Sequence, residues 1–276
     1  GFADMCKAQG TNIIFNIFFG VVVNAAMGIA NQINSAIYQF VANFQTAYTP
    51  QIIKSYASNE TQSFRKLVLQ SVKISFILFS VIVIPFSVNA ERVIGIWLGN
   101  SIPGHTLHFV YLILFDSLIG TFIGPLASAM QGIGKIKTYQ IVISFFIFLN
   151  LPVSYILVHI GFSPEFAIAM RFVLSFSALV WRLFYLRAYL KVNPFVFLFS
   201  IVFFGLVIDF VSLFAGIATR EFFGNGALSF FMSCFSSAFF VCIFSFLFLL
   251  KKEEKLTFVK IVKSKTRSLK CRKLGF

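Results

Sequence analysis

Charge is scarce in this chain. Only 12% of its 276 residues are Asp, Glu, Lys or Arg, against 58% hydrophobic, with 40 Phe and a mean hydropathy of +0.88. A water-soluble fold keeps charge on its surface, and so few charges cannot screen apolar runs of 17 to 29 residues. The bilayer is therefore the expected solvent. Catalytic constellations are scarcer still. There is no P-loop, which argues against ATP hydrolysis, and no buried His or carboxylate pair of the kind an integral-membrane enzyme of glycan assembly would need. The four cysteines, Cys6, Cys234, Cys242 and Cys271, are scattered and lack metal-ligand spacing, so they read as packing residues. His105 and His108 stand three apart with no third ligand nearby in sequence. They read as interfacial, as does His159. No metal, no cofactor and no enzymatic activity are expected. A basic stretch followed by an apolar core and a cleavage site is also missing, so no secretory signal is expected. The start at Gly1 suggests a fragment or a processed piece.

What charge there is has a direction. The formal net charge is +14, yet ten of the 23 Lys and Arg fall in the last 26 residues. That segment, 251–276, reads as a basic cytoplasmic tail whose partner is anionic lipid headgroups rather than nucleic acid. The rest, 1–250, reads as a membrane bundle of about eight helices, near 4–19, 22–56, 63–88, 103–130, 138–159, 165–190, 195–215 and 222–250. Counting Lys and Arg at alternate ends puts 20 on one side. The other side receives Arg92 and Arg220, and Arg171 is left inside a helix, so both termini are expected in the cytoplasm.

The second helix is the most informative. Asn24, Asn31, Ser35, Gln39, Gln45 and Thr49 share one face at 100° per residue, while Ile29, Ile33, Ile37, Phe40, Phe44 and Ala47 take the opposite one. Asn24 to Thr49 would cover roughly 39 Å at 1.5 Å per residue, enough to cross a bilayer. One or two amides would serve as glue between helices. This many favour a water-filled, substrate-facing cavity.

Four charges fall inside the expected spans, where each is costly and so functional or paired. Arg171 and Asp209 sit at similar depth and are candidates to pair, the alternative being that Arg171 holds an anionic substrate. Asp116 has no obvious partner at its level and is the leading candidate for proton or cation coupling, or else a protonated, hydrogen-bonded acid. Asp209 is a second coupling candidate. Lys73 is expected to snorkel to the interface, with a cavity position as the alternative.

Several segments, NIIFNIFFGVVVNAAMGIANQI, NFQTAYTPQIIKSYA, IWLG and GKIKTYQ, resemble bacterial polysaccharide-repeat exporters, the O-antigen and exopolysaccharide flippases, which share a superfamily with multidrug and toxin extrusion transporters. The resemblance covers Gly1 to about Tyr189 and corresponds to the second of two related halves. It implies one lobe of an all-helical, two-lobed transporter that works by alternating access in the bacterial inner membrane, with a missing N-terminal half as partner. The implied substrate is an undecaprenyl-pyrophosphate-linked oligosaccharide. The alternative is a cation-coupled drug exporter of the same fold. Cationic residues in the cavity would favour the first, a lone Asp116 the second.

Overall fold

The computed structural model describes residues 2–99, 102–224, 226–250 and 254–255. Every regular element among them is helical: α1 (Phe2–Ala57), α2 (Thr61–Val88), α3 (Ala90–Leu98), α4 (Thr106–Ile133), α5 (Ile136–His159), α6 (Pro164–Leu190), α7 (Pro194–Phe197), α8 (Phe204–Phe223) and α9 (Ala227–Phe244). Wider π turns at Leu198–Phe203 and Ser245–Leu249 carry α7 into α8 and prolong α9. Seven of the resulting helices are long and apolar enough to cross a membrane. The chain is thus an all-helical polytopic bundle. Of the basic tail only Glu254 and Lys255 belong to the described residues, so its expected contact with headgroups lies outside them.

The first two expected helices form one element broken at Gly20, whose φ of 79° and ψ of −175° are open only to glycine. There the chain doubles back. Lys7 and Asn34 line one cavity, whereas a straight helix would hold them about 40 Å apart. The second arm buries Val23, Ala26, Met27, Ala30, Ile37, Val41 and Ile52. Their spacing, mostly three and four, makes a stripe on this arm, whose side chains reach α2 and α4, while the first arm meets α5 through Phe18 and Tyr155.

That stripe corrects the two faces expected for this arm. Ile37 is buried while Phe40 is 64% exposed, so the expected apolar face divides. The amide face lies along the border of the buried stripe. Gln45 and Thr49 turn inward, with Thr49 Oγ1 2.8 Å from Ser128 Oγ of α4, and Ser35 and Gln39 turn to the open side.

Prolines interrupt α1, α2, α4 and α5. Each removes one helical N–H and orphans the carbonyl four residues earlier. Close approach elsewhere relies on small residues. Ser229, Ser233 and Ser237 are buried at four-residue spacing on α9, and a side-chain carbon on Gly216 of α8 would lie 3.0 Å from Ser237 Cβ.

Two boundaries differ from expectation. The α8 helix reaches Phe223 instead of stopping near 215, because Thr219 bonds back to the Ala215 carbonyl at 2.7 Å and Arg220 reaches the Val88 carbonyl at 2.9 Å. Polar residues are thereby held within the helix, which Gly224 ends at φ 72°. Residues expected as a loop after α2 instead form α3, with Arg92 of α3 donating to the Gly226 carbonyl at 3.0 Å.

Candidate functional site

Where α1, α4 and α6 meet, a cavity of about 410 Å³ opens, lined by Lys7, Asn34, Ser35, Tyr38 and Gln39 from α1, Asp116, Ser117, Gly120 and Ile123 from α4, and Ser175 from α6. Helical spacing brings these together, since Asn34 and Tyr38, like Asp116 and Gly120, stand one turn apart on one face. Gly120 has a steric reason. A side-chain carbon there would lie 3.3 Å from the Tyr38 hydroxyl, so the missing side chain admits the phenol.

A second cavity of about 180 Å³ shares Lys7, Ile123 and Ser175 with the first and extends to Phe146, Ile147 and Asn150 of α5 and to Arg171, Leu174, Ala178 and Arg182 of α6. Together the two hold three cationic side chains, Lys7, Arg171 and Arg182, and one carboxylate, Asp116. The Arg171 guanidinium lies 3.7 Å from Asp116 Oδ2. Arg182 is buried and donates from Nε to the Tyr139 hydroxyl at 2.8 Å.

Four buried polar atoms of this lining have no hydrogen-bond partner within the protein: the Asn34, Asp116 and Asn150 Oδ1 atoms and Arg171 Nε. Buried polar atoms are normally satisfied. Three acceptors and one cationic donor therefore stand ready for a ligand that offers hydroxyl donors and anionic acceptors.

The candidates named from sequence part company here. Ser35, Gln39, Asp116 and Arg171 line the two cavities. Asn24 and Asn31 are half-buried on α1 and outside that lining. Gln45 serves contacts between helices, donating to Ser75 Oγ at 3.1 Å and to the Thr121 carbonyl at 3.3 Å.

Lys73 neither snorkels nor faces the cavity. Almost fully buried on α2, it donates to Glu254 Oε2 at 2.8 Å, because the carboxylate just beyond the last span reaches it before water or headgroup can. The expected pairing of Arg171 with Asp209 also fails. Asp116 takes Arg171 instead, since α4 is among the helices α6 packs on most closely and α8 is not. Asp209 accepts from Ser80 of α2 at 3.0 Å and borders a separate apolar groove of about 860 Å³ between α2, α4 and α8.

Lys7, Asn34, Tyr38, Asn150 and Arg182 also line the cavities and are not among the candidates the sequence offers. Lys7 and Arg182 belong to the 20 charges on the expected cytoplasmic side. For Arg182 a signal existed. Arg171, Ser175, Ala178 and Arg182 follow one another at spacings of four, three and four, a single face of α6. His105, read as interfacial, pairs through Nδ1 with Glu165 and so joins the start of α4 to that of α6. Among the described residues no group of three His, Cys, Asp or Glu is placed to hold a metal ion.

A polytopic helical bundle with a charged, amide-lined cavity between its spans has the build of a membrane transporter. The MatE family model matches residues 9–156, 148 of the 276 residues, and the chain belongs to the MatE family, whose members are transporters and not enzymes. No curated protein and no solved structure matches it.

Proposed function

We propose that the chain is one lobe of a flippase that moves an undecaprenyl-pyrophosphate-linked oligosaccharide across the bacterial inner membrane by alternating access, the other lobe being an N-terminal half. One observation carries this reading. Three cations face a single carboxylate across two adjoining cavities whose remaining polar lining is amide and hydroxyl. Arginine and lysine suit pyrophosphate, amides suit sugar hydroxyls, and a prenyl tail can remain in lipid. The test is complementation of a flippase-deleted strain by this chain alone and by the chain joined to an N-terminal lobe. Rescue by the joined form supports the reading, and failure of both forms overturns it.

A second reading, cation-coupled multidrug efflux, is favoured by the groove beside Asp209. Its lining is almost wholly apolar, with Phe115, Phe203 and Phe210 around the one carboxyl, a setting suited to an organic cation. Drug resistance conferred by the joined form, lost in Asp209→Asn and without rescue of glycan export, would establish that reading instead.

A further inference from the structure

The face of α6 that lines the two cavities does not end with them. Beyond Arg171, Ser175, Ala178 and Arg182 the same spacing of three and four continues to Tyr185 and Tyr189, almost at the end of the helix at Leu190. The exposed Phe166, Val173 and Phe184 lie on the other side of α6. Trp181 flanks the stripe and stacks on Tyr185 at 5.1 Å between centroids, and Tyr139 of α5 lies 5.8 Å from Trp181 and 5.9 Å from Tyr185. Through its hydroxyl Tyr139 also holds Arg182 Nε at 2.8 Å, so the rings join directly onto the cationic cavity. At the other end Tyr189 lines a further cavity of about 240 Å³ with Tyr56 of α1, Asn59, Thr61 of α2 and Lys191. That end is the one the charge count assigns to the cytoplasm.

Trp181, Tyr185 and Tyr189 are half-buried, and neither the indole N–H nor the two phenol hydroxyls hydrogen-bond to another described residue. A membrane-interface belt would also use Trp and Tyr, but such a belt faces lipid at one level. Here the rings continue the cavity face, and Trp181 to Tyr189 covers about 12 Å along the helix axis. A sugar ring carries C–H groups on its faces and hydroxyls at its rim, and Trp and Tyr match both with an apolar ring and a polar end. We propose that Tyr189, Tyr185 and Trp181 form a track on which the sugar portion of an oligosaccharide substrate is held as it passes from the cavity at Tyr56 and Lys191 to the one at Arg182. The proposal rests on the flippase reading above and adds where the glycan binds, apart from its pyrophosphate. Rings already packed on one another lose little freedom on binding.

The test uses the full chain in lipid nanodiscs with Trp97→Phe, a change on α3 that leaves Trp181 as the sole tryptophan. Two probes are compared: a short-chain prenyl-pyrophosphate disaccharide, and the matching prenyl-pyrophosphate methyl ester, which keeps the charge and lacks the sugar. Both are expected to bind, and the disaccharide probe alone to shift the Trp181 emission. Tyr185→Leu and Tyr189→Leu should each weaken the disaccharide probe by roughly two- to tenfold, the range of one aromatic contact, and leave the methyl ester unchanged. A bound disaccharide probe that leaves the emission unaltered, or an equal response to both probes, overturns the track and leaves the anionic reading standing. So does a lowered melting temperature in the tyrosine variants with the ratio of the two affinities unchanged, which would make the rings packing residues. Binding of neither probe overturns both readings. The emission of Trp181 decides the matter even if the tyrosine variants fail to fold.

Discussion

The side-chain amide of Gln45 donates to the backbone carbonyl of Thr121 across 3.3 Å, and that carbonyl is the one whose helical partner Pro125 removes. The neighbouring Gly124 makes the approach possible, for a side-chain carbon there would lie 2.0 Å from Gln45 Oε1. One amide on α1 thus repairs the proline break in α4 while also holding Ser75 of α2. Gln45→Leu should therefore lower stability by about 1–3 kcal/mol, the cost of an unsatisfied buried polar group. Thermal unfolding in detergent measures this, and an unchanged melting temperature would remove Gln45 from the packing framework.

Asn34 and Gln39 should respond in the opposite way. The Asn34 amide oxygen has no partner in the protein, and Gln39 makes only an exposed bond to Asn43 on its own helix. Replacing either by Leu is expected to leave the melting temperature nearly unchanged. Each should weaken binding of a prenyl-pyrophosphate sugar by roughly two- to tenfold, the worth of one lost hydrogen bond of about 0.5–1.5 kcal/mol. A parallel loss of stability and binding would mean that these amides hold helices together.

The contrast between Gln45 and Gln39 marks how far the sequence could be read. Apolar length and helical period made the spans legible, because both are local properties of the chain. They could not say which amides on one face meet another helix, since that depends on where α4 lies and on the proline that frees its carbonyl. Charge pairing was less legible still. Asp116 meets Arg171 because α4 packs on α6, and Lys73 meets a carboxylate 181 positions away, neither of which follows from depth along a single helix. Arg182 was hidden by being counted among the charges that fix orientation, although its spacing from Arg171 placed both on one face.

Gly20 isolates a different contribution, that of backbone geometry. No atom lies within 4 Å of where its side-chain carbon would be, so Gly20→Ala introduces no clash. It does force an L-residue to φ 79° and ψ −175°, at a cost of about 1–3 kcal/mol. Because this hinge brings Lys7 beside Asn34, binding should weaken along with stability. Comparing the melting temperature of Gly20→Ala with that of Gly28→Ala, which is also open but has no positive φ, separates strain from any general effect of added volume.

The pair formed by Lys73 and Glu254 joins α2 to the residues just beyond the last span, with side chains only 5% and 10% exposed. A buried charge left without its partner is worse than no charge at all, and breaking such a pair costs about 3–5 kcal/mol. Glu254→Gln leaves the Lys73 ammonium under-compensated in an apolar setting and should be strongly destabilising. Lys73→Met should cost less, because Glu254 stands beyond the last span and can turn toward water. The double variant Lys73→Met with Glu254→Leu removes both charges, and since replacing a buried pair by apolar residues is often neutral or stabilising, it should recover most of the loss. Melting temperatures of the three variants test this ordering. Three equal values would mean that the pair contributes nothing to the attachment of the chain beyond α9, while a double variant as unstable as Glu254→Gln would mean that the two side chains act through other contacts and not through each other.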